Sequence, residues 1–130
     1  MADIQPTAAR RVALIVDDDD RVRATLVRIL RWIGAWGEIS AAADGAEALA
    51  LAATLLPTLV LIDLWLPDGH GLDLLPALRA LDSSPRIVVI TAEEDPELRE
   101  RALAAGADGY LLKTMPADQL IAALRGLAAP

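Results

Sequence analysis

The chain has 130 residues, 19 acidic and 12 basic side chains, a formal net charge of −7 and 55% hydrophobic content. That length and apolar share suit one domain with one sizeable core and exclude a disordered chain. Cysteine is absent, which excludes disulfides, zinc thiolates and thiol catalysis.

Residues 1–10 read as a loose arm, and the folded domain is expected over 11–128. The first apolar run, Val12-Ala13-Leu14-Ile15-Val16, ends at Asp17-Asp18. Asp19 or Asp20 then caps a helix with Val22, Leu26, Ile29, Leu30 and Ile33 on one face, and Gly34 ends it. A second strand is expected over 36–41. Asp44 opens the next helix, with Glu47 at a capping-box-like spacing, inner residues Leu49, Ala52, Ala53 and Leu56, and a stop at Pro57.

The next run, Leu59-Val60-Leu61-Ile62, ends at Asp63, and the turn-rich segment 66–71 reads as a loop. A helix over about 72–81 contains Pro76, so it starts late or bends. Ile87-Val88-Val89-Ile90 ends at Thr91, and Asp95-Pro96-Glu97 starts a helix that Gly106 ends. Tyr110-Leu111-Leu112 ends at Lys113. Pro116 opens the last helix, with Leu120, Ile121, Leu124 and Leu127 inward.

Five strands alternating with five helices predict an α/β fold with a doubly wound parallel sheet in the order 2-1-3-4-5 and helices on both faces. Runs without polar alternation are the mark of strands buried on both sides. Because parallel strands all point one way, the residues that end them share one rim, where such folds bind ligands.

Each rim residue also has an ordinary role. Acids at 17–20 suit a helix N-terminus as well as a metal site. Thr91 alone is an ordinary strand end, and Lys113 alone would snorkel to solvent. Trp65 and Tyr110 suit a core, and His70 suits a solvated loop. Asp63 is harder to explain away, because Pro67 and Gly69 leave no helix for it to cap. Taken together, three close carboxylates need a divalent cation, and hard oxygen ligands point to Mg2+, with Mn2+ able to replace it. An ammonium and a hydroxyl beside them suit the oxygens of a phosphoryl group. Asp63 is then the nucleophile that forms an aspartyl phosphate.

The segments Leu14-Ile15-Val16-Asp17-Asp18-Asp19, Leu61-Ile62-Asp63-Leu64-Trp65-Leu66-Pro67, Val89-Ile90-Thr91-Ala92 and Ala105-Gly106-Ala107-Asp108-Gly109-Tyr110-Leu111-Leu112-Lys113 resemble, in this order, the receiver domain of two-component response regulators. The wording around 66–72 and 111–114 is similar to receivers that carry a helix-turn-helix output domain. The resemblance implies a flavodoxin-like fold. It implies that Asp63 is the phosphoacceptor and Asp18 a direct metal ligand. Asp17 would bind the metal through water, and the backbone carbonyl of Trp65 would supply a further ligand. Thr91 and Lys113 would contact the phosphoryl group, Ala92 would leave room for it, and Tyr110 would be the switch aromatic. The implied donor is a histidine kinase or phosphotransfer protein. The implied output is a changed face of fourth helix, fifth strand and last helix, read by an output domain, a second subunit or a target.

Two departures from the family pattern stand out. Thr114 follows Lys113 where the family often has a cis proline. A cis bond before a non-proline residue costs about 2.5–4 kcal/mol, so a trans bond is expected. Trp65 is bulky, and with Glu93 it is expected to shield an acyl phosphate from water.

The receiver is expected to be no enzyme beyond slow self-dephosphorylation. A magnesium-dependent phosphohydrolase is the first alternative, but it would usually carry an acid where Trp65 stands. A receiver-like scaffold that works without phosphorylation is the second, but it would usually lack a rim residue. The shortage of clustered Lys and Arg argues against direct nucleic-acid binding by this domain. No run reaches membrane-spanning length, and the expected location is the cytoplasm.

Overall fold

A computed structural model describes residues 11–129. The arm expected over 1–10 lies outside the described residues. The chain runs β1 (Val12–Val16), α1 (Asp20–Ile33), β2 (Glu38–Ala42), α2 (Gly45–Leu55), β3 (Leu59–Ile62), α3 (Leu75–Arg79), β4 (Arg86–Thr91), α4 (Pro96–Ala104), β5 (Gly109–Leu112) and α5 (Ala117–Leu127). All five strands are parallel, in the order β2-β1-β3-β4-β5, as expected. Among the described residues no helix is long and apolar enough to cross a membrane.

The inner strands β1 and β3, and β4 between Ile87 and Ile90, are apolar throughout because both their faces are covered, whereas the edge strand β2 carries Glu38 and Ser40. Leu14, Val16, Val60, Ile62, Ile87 and Val89 pack towards α2, α3 and α4. Ala13, Ile15, Leu59, Leu61, Val88 and Ile90 pack towards α1 and α5. The period-two geometry of a strand sends neighbouring residues to opposite faces, so each strand feeds both cores. Helix α1 buries Leu26, Ile29 and Leu30 as its periodicity predicts, with Asp19 accepting from the amides of Arg21 and Val22 at the N-cap and Gly34 at φ 83° ending it.

Four local readings change. The second strand lies at Glu38–Ala42, not 36–41. Helix α2 buries Gly45, Ala48 and Ala52, while Leu49, Ala53 and Leu56 are exposed. Glu47 and Thr54 mark its outer side, but alanine and leucine fill the rest of the circumference, so periodicity leaves the buried face loosely defined, and burial falls on small residues, with Gly45 set against Asp68 and Leu74. Residues 66–71 are not plain loop: Trp65–Leu66 and Gly69–His70 pair antiparallel in a short hairpin. The helix expected over 72–81 begins as a 3-10 turn at Gly71–Leu74 and becomes α-helical only at Leu75–Arg79, with Pro76 in its first turn. Proline is tolerated there because first-turn amides have no intrahelical partner.

Candidate functional site

Strand register brings the site together. Val16 is level with Ile62, so Asp17 and Asp63 leave neighbouring strands side by side. Thr91 is level with Leu112, and the Lys113 amide donates to the Thr91 carbonyl at 2.8 Å. Asp17, Asp18 and Asp63 each place an oxygen within 4.8 Å of the others. Asp17 and Asp63 are buried, and Asp18 is exposed at the mouth.

Lys113, the single lysine of the chain, spans the two buried acids. Its Nζ lies 2.7 Å from Asp17 Oδ2 and 2.9 Å from Asp63 Oδ2. Burial pulls its pKa down, but the hydrogen bonds and charges of Asp17 and Asp63 outweigh burial and the net direction is up. The Asp17 carboxyl is raised, because its desolvation exceeds the help from Lys113 and from the Asp19 amide at 2.9 Å. The two directions agree with the geometry: the Asp17 side chain is only 2% exposed against 21% for Lys113, and it also faces Asp63.

Three carboxylates against one ammonium leave an excess of negative charge, and Asp63 Oδ1 is buried without a hydrogen-bond partner. A buried acceptor left this way is costly unless something else satisfies it. An all-oxygen set of this charge fits a hard divalent cation.

Of the remaining predicted residues, Thr91, Ala92 and Tyr110 lie on β4 and β5 and on the segment that follows β4. Thr91 is fully buried, and its Oγ1 accepts from the Glu93 amide at 3.3 Å. Tyr110 is buried, and its hydroxyl donates to the Glu93 carbonyl at 2.7 Å. The Glu93 residue therefore links Thr91 to Tyr110 through its own backbone. Burial, followed by the charges of Asp95 and Glu93, raises the Tyr110 phenol. Ala92 is exposed, and Lys113–Thr114 is trans, as is every described peptide bond.

His70 departs from the solvated role expected of it. Its Nδ1 accepts from the Leu72 amide at 3.2 Å, capping the 3-10 turn, and its ring meets Trp65 edge-on with centroids 4.7 Å apart. Trp65 itself is 50% exposed, so it is not a core aromatic.

A model of the response regulator receiver domain matches residues 13–125. The chain belongs to the response regulator receiver family. It is 40% identical over 114 residues to the transcriptional regulatory protein PrrA of Mycobacterium leprae, an alignment covering 88% of this chain and 48% of PrrA. It is 36% identical over 116 residues to the nitrate/nitrite response regulator protein NarL of Escherichia coli, covering 89% and 54%. The receiver thus spans about half the length of these relatives. It is also similar to the crystal structure of the chemotaxis protein CheY4 of Vibrio cholerae, with a TM-score of 0.80 and 29% identity over 90% of this chain and 98% of that one.

Two residues that hold the receiver site together carried no signal in the sequence reading. Asp68, in the hairpin turn, accepts from the amides of Gly45 at 2.8 Å and Ala46 at 2.9 Å, tying the hairpin to the start of α2. Arg23 donates to the Asp17 carbonyl at 2.7 Å and pairs with Asp20. Each replaces an orphan contact of a helix end or loop, but only the folded chain brings the partners together.

Proposed function

We propose that Asp63 of this receiver is the phosphoacceptor of a two-component signalling step. The observation that carries the reading is the unpartnered buried Oδ1 of Asp63 beside Lys113 and two further carboxylates. The donor would be a phosphohistidine of a kinase or phosphotransfer protein. A carboxylate oxygen of Asp63 attacks phosphorus in line, the donor's P–N bond breaks, and the electron pair leaves with the imidazole. The product is an acyl phosphate on Asp63.

Lys113, 2.9 Å from Asp63 Oδ2, would neutralise the arriving oxygens once its hold on that oxygen is exchanged for one on the phosphoryl group. The Thr91 hydroxyl, whose oxygen accepts from the Glu93 amide, keeps its proton for a phosphoryl oxygen. Asp18 and Asp63 would hold Mg2+ directly, with the Trp65 carbonyl, and Asp17 would act through water. The cation when bound supplies charge neutralisation for the carboxylates and phosphoryl oxygens.

Movement of Thr91 towards the phosphoryl group would pull on the Glu93 backbone and hence on Tyr110. That biases a two-state equilibrium in the face of α4, β5 and α5, which an output domain, a second subunit or a target would read. Self-dephosphorylation would be slow, and the domain would turn over no other substrate.

The test is incubation of wild type and Asp63→Asn with Mg2+ and acetyl phosphate. Intact mass should show one added phosphoryl group on wild type and none on Asp63→Asn, with a change in tryptophan fluorescence only in wild type. Equal labelling of both proteins would overturn the assignment.

A further inference from the structure

A cavity of about 220 Å3 opens at the amino ends of the strands, on the rim opposite to Asp63. Arg11 and Arg86 flank it at the starts of β1 and β4, and Trp36, Ser83 and the end of α5 complete its walls. The Arg11 guanidinium lies 4.2 Å over the Trp36 ring and donates to the Ala35 carbonyl at 3.4 Å and to that of Ala128. Arg86 donates to the Leu127 carbonyl at 3.0 Å. The negative pole at the end of α5 accounts for two cations gathering here. It does not satisfy them, because a guanidinium offers more N–H donors than these contacts use.

Among the described residues neither arginine forms an ion pair with a carboxylate. Burial, and then the charge of Arg86, lowers the Arg11 pKa, as expected of like charges brought close. Trp36 Nε1 and Ser83 Oγ, in the same walls, are buried without hydrogen-bond partners. Such groups in a native structure call for an explanation. Two cations flank one cavity and no described carboxylate offsets either, so an anion seated there would answer both.

We propose that this cavity binds a small oxyanion, a carboxylate or phosphate group, between Arg11 and Arg86. The planar guanidinium fork suits both kinds of oxyanion. Most ligand pockets occupy about 300–1,000 Å3, so this one admits a small anion rather than a nucleotide. Bound there, the anion ties the end of α5 to the starts of β1 and β4, far from the acidic rim.

The test is a nitrogen-15 NMR titration of the full chain in metal-free buffer, with sodium phosphate in one series and sodium benzoate in the other, each against sodium chloride of equal ionic strength. The three tryptophans, Trp32, Trp36 and Trp65, give three indole signals. The Trp36 signal should move saturably with one or both anions while the other two stay, and the series that saturates identifies the oxyanion. Arg86→Gln should weaken binding about tenfold or more and leave phosphorylation by acetyl phosphate unchanged. Arg11→Lys, which keeps the charge but not the fork, should weaken it as well and serves if Arg86→Gln fails to fold. No saturable movement of Trp36, or equal affinity in both variants and wild type, would overturn the proposal.

Discussion

Gly71 presses against the backbone of Asp63. A Cβ on Gly71 would overlap the Asp63 carbonyl oxygen and come within 3.0 Å of Leu64 Cα and 3.1 Å of the Asp63 carbonyl carbon. The Gly71 amide also donates to the Leu64 carbonyl at 2.6 Å, so the approach is held from both sides. Backbone cannot swing aside as a flexible side chain can, and overpacking of this kind costs about 1–3 kcal/mol. Gly71→Ala should lower the melting temperature and slow labelling of Asp63 by acetyl phosphate. Wild-type labelling and stability in Gly71→Ala would show that the contact relaxes freely.

Lys113→Met should destabilise the metal-free protein. It removes the one cation between Asp17 and Asp63 and leaves two buried carboxylates facing each other. The loss should be about 1–3 kcal/mol, below that of a fully buried pair because Lys113 is partly exposed. Mg2+ should raise the melting temperature of the variant more than that of wild type. Denaturant titration with and without the cation checks both parts, and an unchanged metal-free midpoint would contradict them.

Trp65→Asn should shorten the life of the acyl phosphate severalfold. The indole starts the hairpin two residues past Asp63 and is braced edge-on by His70. His70→Ala should shorten it less, since it removes the brace and not the shield. The readout is loss of the phosphoryl mass over time after the donor is removed. A lifetime in Trp65→Asn equal to or longer than that of wild type would contradict the shielding role.

Asp68 should make stability depend on pH. The amides of Gly45 and Ala46 hold its carboxyl below its ordinary value of 3.8. A group with a lowered pKa in the folded state stabilises the fold above the unfolded value and loses that contribution as pH falls through the folded one. Wild type should therefore exceed Asp68→Ala in stability at neutral pH, and part of the gap should close below about pH 3.8. A gap that stays constant down to acid unfolding would show that the tie does not depend on charge.

Most of the acidic rim was legible before folding, for a physical reason. Strands covered on both faces tolerate only apolar side chains, so Asp17, Asp63, Thr91 and Lys113 stand out as the points where the runs break. The short hairpin was not legible, because two-residue strands have no period to read. The inner face of α2 was misread because Leu49 looks more hydrophobic than Ala48, whereas packing buries Ala48 and leaves Leu49 exposed.

The sequence by itself determined the class of fold, the order of its strands and the rim on which the polar strand-end side chains gather, since these follow from apolar runs, caps and parallel direction. Tertiary structure alone decided which oxygens Lys113 grips, that one oxygen of Asp63 stays unpartnered, that Asp68 reaches the start of α2 and that Gly71 must lack a side chain. It also decided that Arg11 and Arg86 meet at the far rim. These facts depend on distances between residues remote in the chain, and no local pattern encodes such distances until packing sets them.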